Sequence, residues 1–155
     1  MKKSIALKQI VFIGLLSLGL VGLSHNSFAG ETPSKSGAKQ YFVNLKNGDV
    51  VSNPIKIIFG LSGMGVAPAG VAKANTGHHH LFIDRPALGK GEDGKDQYQD
   101  NIPADEKHIH FGGGQTETTI TLSPGKHTLQ LVLADENHIP HNPPVASEVI
   151  TITVK

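Results

Sequence analysis

Beyond residue 39, apolar and polar residues alternate with a period of two along much of the chain, the signature of half-buried β-strands. Tyr41, Val43 and Leu45 alternate with polar neighbours over residues 40–46, Asn47-Gly48 is a turn signal, and residues 55–61 form a β-branched apolar run. The same pattern predicts strands at 78–84, 107–111, 116–122, 127–134 and 148–154, about seven in all. Breakers rich in glycine and proline separate them at 63–77, 112–114, 123–126 and 140–144, and no stretch sustains an apolar period of 3.6. Short strands with regular turn signals argue for an all-β fold. The expected architecture is an immunoglobulin-like antiparallel β-sandwich, with a Greek-key β-barrel as the alternative.

Alternation also assigns faces. In 78–84, His79, Leu81 and Ile83 share one side, while His78, His80 and Phe82 share the other. If the leucine side meets the core, His78 and His80 point outward. In 107–111, Ile109 and Phe111 take the core side and leave His108 and His110 opposite. Leu129, Leu131, Leu133, Ile150 and Ile152 complete the predicted core.

The first thirty residues indicate where the domain works. Lys2, Lys3 and Lys8 open the chain, residues 10–23 are apolar without a charge, and Ser27-Phe28-Ala29 ends in a small-x-small pattern. That is the layout of a signal peptide cleaved after Ala29. The apolar run is shorter than the roughly 20 residues that span a bilayer, so no membrane span is expected to be retained. The expected organisation is a signal peptide at 1–29, a flexible segment at 30–39 and one β-sandwich domain at 40–155, exported to the periplasm. Cleavage removes three of the 14 basic side chains and none of the 13 acidic ones, leaving a slightly acidic domain with scattered lysines. Such a surface excludes nucleic acid as a partner. With no cysteine there are no disulfides, and the core alone must hold the fold.

Histidine supplies the candidate chemistry. Seven of the eight histidines beyond the leader fall in three clusters: His78-His79-His80, His108-Ile109-His110 and His138-Ile139-Pro140-His141. Neutral imidazole is the commonest metal ligand, and without cysteine any site must use nitrogen and oxygen donors. If strands 78–84 and 107–111 pair, facing Cβ atoms lie roughly 4.5–5.5 Å apart and four imidazoles meet on one patch. His138 and His141 either close over that patch or lie at the far end of the sandwich. The candidate ligands for copper or zinc are therefore His78, His80, His108, His110, His138 and His141. His79 is expected to point inward and bond a backbone carbonyl, His127 to brace the Pro-Gly turn before it, and Met64 to pack rather than bind Cu(I). The long connection 85–104 reads as a mobile surface loop. Its acidic 91–96 stretch fails as an EF-hand, because Gly89 and Gly91 fall where carboxylates are required.

Several strings carry a family resemblance. Tyr41-Phe42-Val43-Asn44-Leu45, Gly60-Leu61-Ser62-Gly63-Met64-Gly65, Asn75-Thr76-Gly77-His78-His79-His80-Leu81, Lys107-His108-Ile109-His110-Phe111-Gly112 and Asn137-His138-Ile139-Pro140-His141 resemble an exported bacterial family of domains of unknown function, numbered 4399. The resemblance implies no activity, so function rests on the residues. The leading expectation is a periplasmic metal-binding module acting as carrier, buffer or accessory to a periplasmic or membrane metalloprotein. One alternative is a metal-independent envelope interaction module that uses the Gly-rich loop. A less favoured one is a mononuclear metalloenzyme such as a superoxide dismutase, with Asp105, Glu106 or Asp135 as general acid or base. No Gly-x-Ser-x-Gly turn, Ser-His-Asp spacing, phosphate loop or dinucleotide fingerprint is present, which argues against hydrolase and nucleotide chemistry.

Overall fold

The β-branched and aromatic runs fold as strands because each has an apolar face to bury. In the computed structural model, residues 32–155 are described except Glu92, Asp93, Lys95, Asp96 and Tyr98. The leader at 1–29 and most of the 91–96 stretch thus lie outside the described residues. The elements are β1 (Lys39–Phe42), β2 (Val50–Val51), β3 (Ile55–Ser62), β4 (Gly65–Val66), β5 (Thr76–Ile83), β6 (His108–His110), β7 (Glu117–Ile120), β8 (Gly125–Ala134), β9 (Pro140–Ala146) and β10 (Ile150–Val154). One sheet has the order β1-β3-β7. The other has the order β2-β10-β8-β5-β4, with β6 beside β5 and β9 beside β8. Both sheets are open, so the fold is a β-sandwich rather than a barrel. Among the described residues, no helix is long and apolar enough to cross a membrane.

The seven predicted strands all form, with ends shifted by a few residues, and three more join them. β2 and β4 are two-residue parallel pairings too short to carry a period. β9 overturns a breaker: the proline-rich 140–144 stretch, expected to be a loop, lies in a strand. Proline is tolerated there because β9 pairs with β8 at the sheet margin and Pro143 and Pro144 face solvent. Asn142, between the prolines, donates to the Thr32 carbonyl and accepts from the Ser34 amide, which docks residues 32–34 alongside.

The core lies between the sheets. Ile55, Ile57 and Phe59 of β3 pack against Leu81 and Ile83 of β5, Leu129 and Leu131 of β8, Ile150, Ile152 and Val154 of β10, and Phe111. The residues predicted for this core are buried, apart from Ile109, which is half-buried.

A second apolar cluster covers the outer face of the larger sheet, where Phe82, Val132 and Ala134 pack with Leu88 and Ile102. Both covering residues belong to the 85–104 connection, which corrects its reading as a free surface loop: two apolar side chains anchor it near its ends. The Leu88 amide donates to Gln130 Oε1 at 2.8 Å and the Ile102 amide to the His138 carbonyl at 2.9 Å. The outer face of β5 is therefore also interior.

Removing buried methyl groups from this core should cost far more than trimming the surface. Leu131→Ala is expected to lower the unfolding free energy by about 3 kcal/mol in urea denaturation. Val43→Ala, at a side chain 56% exposed, should change it by less than about 0.5 kcal/mol.

Candidate metal centre

Two strand pairings and one turn assemble the site. β5 and β6 run antiparallel with His80 opposite His110 and Phe82 opposite His108. β5 and β8 place His78 opposite Ala134. Alternation puts His78, His80, His108 and His110 on the outer face, as the pattern requires. That face is not open: His78 and His80 are fully buried, and His110 is half-buried.

His138 arrives from the turn between β8 and β9. The buried Asp135 carboxylate holds this turn: Oδ1 accepts from the amides of Asn137 at 2.9 Å and Ile139 at 3.0 Å, and Oδ2 accepts from Thr32 Oγ1 at 2.7 Å. Inside it, His138 adopts φ 68°, a left-handed conformation that non-glycine residues adopt at a cost. Asp135, considered above as a proton carrier, thus has both oxygens committed to holding the turn.

Four rings converge. Centroid separations are 4.9 Å for His78–His80, 5.0 Å for His78–His110, 4.9 Å for His78–His138, 5.1 Å for His80–His110 and 4.6 Å for His110–His138, with His80–His138 longer at 6.0 Å. His78, His110 and His138 each offer a nitrogen, and the three atoms lie within 4.8 Å of one another. Tetrahedral ligands at about 2.0–2.1 Å from zinc stand roughly 3.4 Å apart, so small side-chain rotations would close the group on an ion. His80 Nε2 lies 3.0 Å from His78 Nε2, where one imidazole must donate its N–H to the other's lone pair. His78 Nδ1, His80 Nδ1 and His110 Nε2 are buried without a hydrogen-bond partner among the described residues.

The remaining histidines do other work. His108 lies on the same face one pair along, but its Nδ1 is 3.0 Å from both oxygens of Asp105 and its ring stands edge-on to Phe82. It lines a separate cavity of about 340 Å³ with Phe82, Arg85, Leu88 and Ile102. His141 is fully buried over Gly77, whose missing side chain would point to the His79 face, so His141 and His138 are not joined in one site. Neither of its nitrogens reaches a partner in hydrogen-bond geometry among the described residues, although the Thr32 and Pro33 backbone lies beside the ring. His79 points inward but bonds the Gln40 side chain, with Nδ1 at 2.6 Å from Nε2, in place of the expected backbone carbonyl.

His127 braces the corner. Its Nδ1 lies 2.8 Å from Asp84 Oδ2 and its Nε2 2.9 Å from the Ser123 carbonyl, with Ser123 Oγ at 3.4 Å. Asp84, His127 and Ser123 have the members of a hydrolytic triad, but a carbonyl partner requires Nε2 to carry the proton. That nitrogen cannot take one from the serine.

Sequence reasoning passed over Gly112. A Cβ there would overlap the His110 ring, so this position must be small for the ring to lie where it does. The triple glycine at 112–114 was legible only as a breaker.

Burial favours the neutral form of His78, His80 and His110. Burial, and then the neighbouring His138 and His110 rings, push the pKa of His78 down to about 4. Burial pushes His80 to about 2 and His79 to about 4. His110 is lowered by burial and by His138. His127 moves the opposite way, since its bonds to Asp84 and the Ser123 carbonyl outweigh its burial and raise it.

These features define a β-sandwich with a buried polyimidazole cluster on the outer face of its larger sheet. The chain belongs to the family of domains of unknown function DUF4399, which it matches over residues 57–155, a span that contains all the clustered histidines. The Tyr41–Leu45 string lies before that match. Neither a curated protein nor a solved structure matches the chain.

Stability should respond to pH with two opposite signs. The folded-state values of His78, His79 and His80 lie below the unfolded value of 6.5, so their contribution is complete above pH 6.5 and is lost as pH falls toward about 4 for His78 and His79 and about 2 for His80. Each such histidine withdraws up to about 1.4 kcal/mol per pH unit, and the metal-free protein should unfold in acid between about pH 6 and 4. The raised value of His127 makes its contribution complete below pH 6.5 and lost as pH climbs through that value. His127→Ala should therefore lower Tm more at pH 6 than at pH 8, read by circular dichroism melts.

Proposed function

We propose that this chain is an exported protein that holds one copper or zinc ion between His78, His110 and His138, with His80 as the adjoining fourth imidazole, and serves as a periplasmic carrier, buffer or accessory to a metalloprotein. The observation that carries this reading is the convergence of one nitrogen from each of His78, His110 and His138, in a cluster where some ring nitrogens are buried without a hydrogen-bond partner among the described residues. A buried polar group left unsatisfied costs about 1–3 kcal/mol, and a purely structural outer face would use apolar side chains, as Phe82 and Val132 do a few residues away. Imidazole suits copper and zinc, whereas calcium and magnesium require oxygen ligands. The signal-like leader supports export. Binding is favoured over catalysis because Asp135 is committed to its turn and Asp105 to His108.

Protein purified from the periplasm without an affinity tag should carry close to one equivalent of copper or zinc that survives a weak chelator. His78→Ala combined with His110→Ala should abolish that equivalent while the far-ultraviolet spectrum of the metal-free fold persists. His108→Ala and His127→Ala should keep it. Substoichiometric metal lost on dialysis of the parent protein would overturn the reading in favour of a metal-independent interaction module.

A further inference from the structure

The segment 67–70 belongs to neither apolar cluster, although Ala67 is buried, and its backbone reaches each of the three chain segments that carry the histidines. The Ala67 amide donates to the Gly77 carbonyl, next to His78. The Ala69 amide donates to the Gly112 carbonyl, two residues from His110. The Gly70 amide donates to the Glu136 carbonyl, two residues from His138. All three bonds measure 2.9 Å. The segments they join belong to β5, to the end of β6 and to the β8–β9 turn, and β6 and that turn have no strand pairing with one another. We propose that residues 67–70 are a positioning clamp that sets the spacing of His78, His110 and His138, and so the affinity of the metal site; this rests on the metal reading above.

The local geometry explains why this segment reads Pro68-Ala69-Gly70. Two amides one residue apart must aim at carbonyls on different elements, which demands a sharp reversal. A turn supplies it: the Val71 amide donates to the Pro68 carbonyl at 3.2 Å, and Gly70 at its third position has φ 77°. Positive φ at that place is the mark of a type II turn, in which glycine is preferred. A Cβ at Gly70 would meet nothing within 4 Å, so a substitution there acts through backbone conformation and not through a clash. Ala69 packs close to Gly112, the residue over which the His110 ring lies, which ties the clamp to that ring's seat. Without the clamp, the ion would have to draw the β6 end and the 135–139 turn together itself, and its affinity would fall by the cost of ordering them.

Coupling between clamp and site must be reciprocal. In the wild-type protein, loading with Zn²⁺ should slow hydrogen exchange of the Ala69 and Gly70 amides, while the β3–β7 pairing on the other sheet is unaffected. Gly70→Ala should weaken Zn²⁺ binding about tenfold in a chelator competition, the equilibrium equivalent of forcing alanine into a left-handed conformation. Gly48→Ala is the matched control: Gly48 has φ 90° and equally open space, but sits in the 46–49 turn away from the cluster. It should lower Tm to a similar degree and leave Zn²⁺ affinity unchanged. If wild-type protein binds Zn²⁺ and Gly70→Ala binds it as tightly, or if the two amides exchange alike with and without Zn²⁺, the clamp is refuted while the metal site stands. If wild-type protein takes up neither Zn²⁺ nor copper, the metal reading itself fails and the clamp falls with it.

Discussion

The register between β5 and β8 is the constraint on which the rest of the structure depends. Paired from His78↔Ala134 to Ile83↔Leu129, it places Leu81 and Ile83 in the inter-sheet core and, by the same alternation, His78, His80 and Phe82 on the outer face. A slip of one residue would exchange the two sets completely. It would send two imidazoles into the hydrocarbon core and two aliphatic side chains into the histidine cluster. Leu81, Leu129 and Leu131 are fully buried, so the apolar face fixes the register and the histidines inherit their positions from it. The chemistry of the outer face is in this sense a by-product of packing on the inner one.

Burial on both faces of β5 shapes the character of the site. The 85–104 connection lays Leu88 and Ile102 against Phe82 and Val132, and the Ile102 amide bonds the His138 carbonyl. Burial removes water from His78 and His80 and holds their imidazoles neutral far below the usual histidine range. Neutrality is what a metal ligand requires, since a protonated ring has no lone pair to give. The cost falls on the metal-free fold, which carries unpartnered ring nitrogens in its interior. The burden is distributed unevenly: the floor of the cluster is buried, while His110 and His138 at its rim are partly exposed.

Secondary contacts divide the remaining polar residues between support and chemistry. Asp135, Thr32 and the turn amides hold His138 in its strained conformation, and Asp105 occupies His108. Asp84 and His127 close the corner between the start of β8 and the end of β5. Such supporting groups matter as much to a site as its ligands, because an imidazole must be held in orientation as well as brought into range.

The sequence alone determined the all-β class, seven of the strands and the faces of β5 and β6, because strand periodicity is a local property of side-chain alternation. It also carried the inward turn of His79 and the corner role of His127. Only the tertiary structure decided which histidines meet. His108 and His110 share a strand face and are indistinguishable in pattern, yet a separation of two residues along β6 leaves one opposite Phe82 and beside Asp105 and the other opposite His80. His138 and His141 are three apart, but the left-handed turn sends one to the cluster while the proline-bearing β9 strand carries the other to a separate buried position over Gly77. The covering loop, the carboxylate under the turn and the backbone of residues 67–70 depend on contacts between segments far apart in the chain, whose partners leave no periodic trace in either segment read by itself.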